Sequence, residues 1–281
     1  MMLNEDPELL KNVDTFILDM DGTFYIGNNL LPGAIEFVEI VRESGKDFIF
    51  LTNNSSANSE QYADKIRRMG ISGEIKVFTS GEATAIYIRR KMKVERLFVL
   101  GTPCLKDLFK SYGFEVVNPG RFGECVADPD AIILGFDKTL TYESINAFCR
   151  FVMMGKPYVA THPDPNCPDE DFPIPDAGAM IEFVRTATGR GPDVIIGKPN
   201  PFILDSMIEK FHLTRERMAF IGDRLMTDMK LANNSGIISI LLLSGETKME
   251  DIGKTDVKVD YIFENLLELV DVLRKFEEVK E

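Results

Sequence analysis

The stretch Phe16-Ile17-Leu18-Asp19-Met20-Asp21-Gly22-Thr23 decides the fold, because an apolar run of strand length ends on two aspartates, Asp19 and Asp21, spaced two apart. A carboxylate with a reference pKa near ~3.9 is ionised at neutral pH, so Asp19 could attack phosphorus without a base to activate it. An anionic nucleophile meeting an anionic phosphate monoester needs relief from repulsion. A divalent cation gives that relief, and a carboxylate-rich oxygen ligand set suits Mg2+. Gly22 and Thr23 fit the turn out of the strand: glycine tolerates unusual backbone angles and a hydroxyl bonds locally. Taken alone, the stretch reads equally as a strand followed by an ordinary Asp-Gly turn.

Working outward, short apolar runs alternate with helical patterns. Thr15 to Leu18 precedes Ile35, Val38 and Val41 at helical spacing; Phe48-Ile49-Phe50-Leu51 follows, then a helix ending near Met69-Gly70. The same βαβ rhythm returns with Val194-Ile195-Ile196, a helix carrying Ile203, Met207 and Phe211, then Met218 to Ile221 and Ile237 to Leu243. Both ends therefore read as one parallel sheet. Between them lie Leu97 to Gly101, Ala131 to Gly135 and Lys156 to Thr161, a middle piece with its own alternation. The proline cluster from His162 to Pro175 reads as a long loop near the return point.

Three further segments put polar chemistry just after apolar runs, the end of a parallel sheet where ligands collect. Leu51-Thr52-Asn53-Asn54-Ser55 offers a hydroxyl, amides and successive backbone donors, an anion cradle or an ordinary helix cap. Gly197-Lys198-Pro199-Asn200-Pro201 opens a helix with proline and places one lysine where it could reach transferred phosphoryl oxygens; a surface lysine is the plainer reading. Gly222-Asp223-Arg224-Leu225-Met226-Thr227-Asp228 holds two carboxylates five apart, with Asp228 near a helix start.

Four independent turns do not account for this ordered set. The motifs DMDGT, LTNNS, GKPNP and GDRLMTD resemble the haloacid dehalogenase (HAD) superfamily, subfamily IIA, in its NagD-like and 4-nitrophenyl phosphatase branch. The resemblance implies an α/β fold, a HAD-like Rossmannoid core with a parallel sheet and an inserted α/β cap of C2 type. Only 33 residues separate Asp19 from Thr52, whereas 146 separate Thr52 from Lys198, so the cap belongs in the second interval. The expected division is a core of residues 1–82 and 179–281 and a cap of 83–178. By resemblance, Asp19 is the nucleophile that forms an aspartyl-phosphate, and Asp21 protonates the leaving alkoxide and later activates water. Mg2+ is held by the Asp19 carboxylate, the Asp21 backbone carbonyl and Asp223, with Asp228 orienting water ligands or Lys198. Thr52, Asn53 and Asn54 grip phosphoryl oxygens, and Lys198 offsets charge during in-line transfer. Carboxylates ~4 Å apart at an effective dielectric of ~20 repel by roughly 4 kcal/mol per pair, so the cluster calls for a cation before substrate arrives.

Substrate contacts are expected on the cap loop Ala160-Thr161-His162-Pro163-Asp164-Pro165-Asn166-Cys167-Pro168. The resembling branch often has Asn or Asp after this Thr and, in relatives acting on pyridoxal phosphate, a His near the loop's far end. Here those places hold His162 and Cys167, which counts against pyridoxal phosphate. Both residues are candidate substrate contacts, and an ordinary loop packing of His162 against prolines is the alternative. His212 reads as structural, and Phe109, Phe114 and Phe122 as cap core.

Composition bounds the remaining choices. The 281 residues suit two domains, and 44% hydrophobic content supports real cores. A net charge of −13, from 45 acidic against 32 basic residues, argues against nucleic acid or an anionic membrane as partner. Cys104, Cys125, Cys149 and Cys167 are scattered without a CxxC pair, which fits reduced thiols in a cytoplasmic protein. The expectation is a Mg2+-dependent phosphatase for small phosphate monoesters (sugar phosphates, nucleoside monophosphates, 4-nitrophenyl phosphate), monomeric or homodimeric. A phosphomutase of the same superfamily and an aspartate-phosphorylated signalling module are the alternatives.

Overall fold

The computed structural model describes residues 7–118, 127–169 and 172–278. Two parallel sheets organise it. The larger has six strands in the order Tyr261–Phe263, Ile238–Leu242, Met218–Gly222, Thr15–Leu18, Asp47–Thr52 and Val77–Thr79. Thr15–Leu18, which carries the aspartate pair, lies at its centre and is paired on both sides. The second has five strands in the order Val194–Ile195, Tyr158–Ala160, Ala131–Leu134, Arg96–Leu100 and Glu115–Val117.

Strand periodicity distributes the apolar residues into layers. On one face of the larger sheet Phe16, Leu18, Phe48, Phe50, Ile221 and Leu242 meet the helices Ala34–Glu43, Ser59–Arg68 and Leu266–Glu278. On the other, Ile17, Ile49, Phe220 and Leu241 join Ile88, Ile203 and Met207 from the helices Ser80–Lys91 and Pro201–Phe211. That same apolar cluster continues to Leu97, Val99, Ile133 and Val159 on the second sheet. The remaining face of the second sheet, Phe98, Leu100, Ile132 and Leu134, is covered by Tyr142–Met153 and Ala177–Thr188.

Two expectations are corrected here. Val194–Ile195 does not belong to the larger sheet; it pairs in parallel with Tyr158–Ala160 at the edge of the second. An apolar pattern marks a strand but not which sheet receives it. The edges at 82 and 178 also fall inside helices, Ser80–Lys91 and Ala177–Thr188. The second helix covers the second sheet, so the chain returns to the core only after Ile195. Within Ala34–Glu43 the buried residues are Ala34, Phe37, Val38, Ile40 and Val41, while Ile35 is exposed. Phe109 and Phe114 are buried against each other at 6.2 Å between ring centres, as core residues should be. His212 ends its helix in the left-handed region, a structural role. Phe122 and Cys125 lie outside the described residues; Cys104, Cys149 and Cys167 are free thiols. No described helix is long and apolar enough to cross a membrane.

Candidate active site

The carboxyl ends of three neighbouring strands of the larger sheet deliver the site. Asp19 follows Thr15–Leu18, Thr52 ends Asp47–Thr52, and Asp223 follows Met218–Gly222. Lys198 comes from the segment joining Val194–Ile195 to Pro201–Phe211, where Asn200 caps the helix by accepting from the Phe202 amide at 3.0 Å. Asp228 sits in a single π-helical turn, Leu225–Met229, that runs on into the helix Lys230–Ser235.

These pieces converge. Lys198 Nζ donates to Asp19 Oδ1 at 2.5 Å and to Asp228 Oδ1 at 2.7 Å, with all three side chains buried. Burial pulls the lysine pKa down, but the two aspartates hold it well above the usual range. Carboxylate oxygens of Asp19, Asp223 and Asp228 lie within 4.8 Å of one another. Burial, then repulsion from Asp19 and Asp228, raises the Asp223 pKa; burial and Asp19 raise that of Asp228 against the pull of Lys198. Lys198 reaches two of the three, and among the described ion pairs none reaches Asp223. Asp223 accepts instead from Thr23 Oγ1 at 3.0 Å and the Glu246 amide at 2.8 Å. An all-oxygen, buried, under-compensated cluster fits a hard divalent cation. Gly22 and Gly245 make room for it: a Cβ on either would stand 2.6 Å and 2.0 Å from Asp223 Oδ2. Asp21 lies beside them, its carboxyl pushed up to about 6 by burial and then by Asp19.

Asp19, Asp21, Thr52, Asn53, Asn54, Cys167 and Lys198 line one narrow chamber with about 370 Å³ of empty space including its mouth. The two asparagines depart from their expected role. Asn53 Oδ1 accepts from the Lys198 amide at 2.8 Å, and its Nδ2 donates to Lys198 O and to both oxygens of Asp164. Asn54 Oδ1 takes the Ser56 amide and hydroxyl, and its Nδ2 points at Cys167 Sγ. Their side chains thus build the loop, while both residues still line the chamber. His162 is the second departure. It is fully buried and absent from the chamber wall, its ring nitrogens facing Asp176 and Thr161. Thr23 is the third, bonding to a residue 200 positions away rather than locally.

Sequence reasoning gave no individual role to Asp164 and Asn166, which lie in the quoted cap loop, nor to Asp176, Arg224 and Thr227, and all five line the chamber. Thr227 Oγ1 is buried with no partner among the described residues. Arg224 lay inside a quoted motif; Asp176 carried only the signal of a helix cap, which it also is.

A haloacid dehalogenase-like hydrolase model matches residues 16–115, and a HAD-hydrolase-like model matches 195–269. The acid sugar phosphatase of Staphylococcus saprophyticus is 32% identical over 267 residues, 95% of this chain and 100% of that protein. The crystal structure of a 4-nitrophenylphosphatase from Thermotoga maritima is 48% identical with a TM-score of 0.86, covering 94% of this chain and 98% of that one. Glycerol phosphate phosphatase from Mycobacterium tuberculosis, in complex with magnesium, is 26% identical with a TM-score of 0.83, covering 94% and 77%.

Proposed function

The chain belongs to the haloacid dehalogenase-like hydrolases, in their NagD-like branch, and is a hydrolase of phosphoric monoesters; from that premise we propose that it is Mg2+-dependent and works through an aspartyl-phosphate on Asp19. The observation that carries this reading is the junction of Lys198 with Asp19 and Asp228 beside Asp223. Lys198 fixes Oδ1 of Asp19, so Oδ2 is the oxygen available for in-line attack on phosphorus. Asp21, two residues on, protonates the departing alkoxide and then takes a proton from the water that opens the aspartyl-phosphate. Lys198 neutralises charge on the equatorial oxygens, with the Thr52 and Thr227 hydroxyls at the same chamber. Mg2+, held by Asp19, Asp223 and the Asp21 carbonyl with Asp228 behind them, would supply the remaining charge compensation between nucleophile and phosphate.

Substrates on this reading are small phosphate esters such as sugar and polyol phosphates, with 4-nitrophenyl phosphate as a convenient surrogate; the names of the relatives above support that range. The reading includes a cytoplasmic monomer or homodimer, and the net charge of −13 supports the part of it that leaves out nucleic-acid and anionic-membrane partners. The test is Asp19→Asn together with chelation. Hydrolysis of 4-nitrophenyl phosphate should vanish in the variant and in excess EDTA, and return to the chelated wild type with added Mg2+. Undiminished turnover in EDTA sinks the metal assignment, and an active Asp19→Asn protein sinks the nucleophile.

A further inference from the structure

Asp176 is 3% exposed yet lines the chamber, and its two oxygens are in different states. Oδ1 takes the Ala177 amide at 2.5 Å, capping the helix Ala177–Thr188, and faces His162 Nε2 at 2.8 Å. Oδ2 has no donor among the described residues. The imidazole that holds Oδ1 is itself fixed at its other nitrogen, with Thr161 Oγ1 at 2.9 Å and Ser80 Oγ at 3.4 Å. Thr161 Oγ1 lies 3.1 Å from Ser55 Oγ, and Ser80 Oγ donates to Asn53 O. A carboxylate clamped through one oxygen cannot swing its other oxygen away, and the clamp is anchored in the loop after Thr52.

Among the described residues, the chamber wall around Asp176 is neutral or already satisfied. Asn166 and Pro168 carry no charge, and burial pushes the Cys167 thiol up to about 12. The guanidinium of Arg224 is engaged by Glu246 at 3.0 Å and Asp164 at 3.8 Å. Among the described residues no aromatic side chain lines the chamber to offer a stacking face. An alcohol with a further hydroxyl finds an acceptor here, whereas one with a carboxylate meets a like charge.

We propose that Asp176, held by His162, is the specificity-determining acceptor for a leaving-group hydroxyl, so that this enzyme prefers phosphate esters of neutral polyols or sugars over esters whose alcohol carries a carboxylate. The inference rests on the phosphatase reading above. Asp176 selects; His162 is a positioning residue, which touches no substrate.

The experiment compares kcat/KM for glycerol 1-phosphate, phosphoglycolate and 4-nitrophenyl phosphate with Mg2+ present, in the wild type, Asp176→Asn and His162→Gln. The wild type should favour glycerol 1-phosphate over phosphoglycolate by about 10⁴-fold, as a site built to receive a hydroxyl rejects a substrate without it. Asp176→Asn keeps a helix-capping oxygen, so the protein should fold, and the ratio should shrink by about tenfold or more, mainly through KM. His162→Gln should move the ratio the same way by less. Equal use of the two esters by the wild type, which needs no variant, overturns the proposal. So does a ratio unchanged within about twofold in an Asp176→Asn protein that still hydrolyses 4-nitrophenyl phosphate. A wild type that hydrolyses none of the three removes the phosphatase reading itself and this inference with it.

Discussion

Lys198 is where the site's charges balance. Its ammonium is buried and contacts Asp19 and Asp228. Lys198→Met should lower kcat by about 10²- to 10³-fold, the loss typical of removing one preorganised donor. It should also cost about 3–5 kcal/mol in urea denaturation without metal, since two carboxylates are then left buried without their cation. Saturating Mg2+ should return part of that stability. Thr23→Val tests a subtler contribution. The hydroxyl holds Asp223 Oδ1, and groups that orient metal ligands contribute about 10- to 100-fold to affinity. The Mg2+ concentration for half-maximal activity should rise within that range while kcat at saturating metal changes little. His162 sets a pH dependence. Burial pulls its pKa down, but the charge and hydrogen bond of Asp176, with Asp164 adding and Lys198 opposing, leave it raised above 6.5. A raised folded-state pKa gives stability that is complete below the unfolded value and lost as pH rises through the folded one. Denaturation free energies should therefore fall from pH 6 upward more steeply in the wild type than in His162→Gln; parallel curves would remove the charged pair.

At the scale of elements, two glycines tie the turns to their surroundings. Gly33 stands at φ +87° before the helix Ala34–Glu43, and a Cβ there would lie 2.1 Å from the backbone nitrogen of Leu267. That contact is what lets Ala34–Glu43 and Leu266–Glu278 cover one face of the larger sheet together. Gly33→Ala combines backbone strain with an overlap against backbone and should cost about 2–4 kcal/mol, read as a lower urea midpoint at unchanged slope. Gly245 has a different job, because its missing Cβ leaves room for Asp223. Much of this level was legible in advance. Strand ends, the proline-opened helix at Pro201 and the phenylalanine core were all readable, because each depends on neighbours within one turn or on period-two burial. The destination of Val194–Ile195 was not. A two-residue strand rich in Val and Ile satisfies either sheet equally, and only pairing with Tyr158–Ala160 settles it.

At the scale of the whole molecule, one apolar cluster joins the two sheets through the helices Ser80–Lys91 and Pro201–Phe211. Polar contacts cross at the same junction, with Asn53 and Arg224 meeting Asp164. A shared core predicts that the two sheets unfold together. With no tryptophan and seven tyrosines, tyrosine fluorescence and far-ultraviolet dichroism should give coincident urea transitions, and two separated midpoints would show that the cap melts alone.

The sequence by itself determined the α/β class, the order of the motifs, the interval that holds the cap and the identity of the Asp19, Lys198, Asp223 and Asp228 cluster, because charged residues directly after apolar strands have one place to go. Tertiary structure alone decided that the Asn53 and Asn54 side chains are engaged within the protein, that His162 is buried against Asp176, and that Thr23 serves Asp223 across 200 residues. Hydrogen-bond partners are chosen by three-dimensional proximity, and no spacing along the chain records that choice.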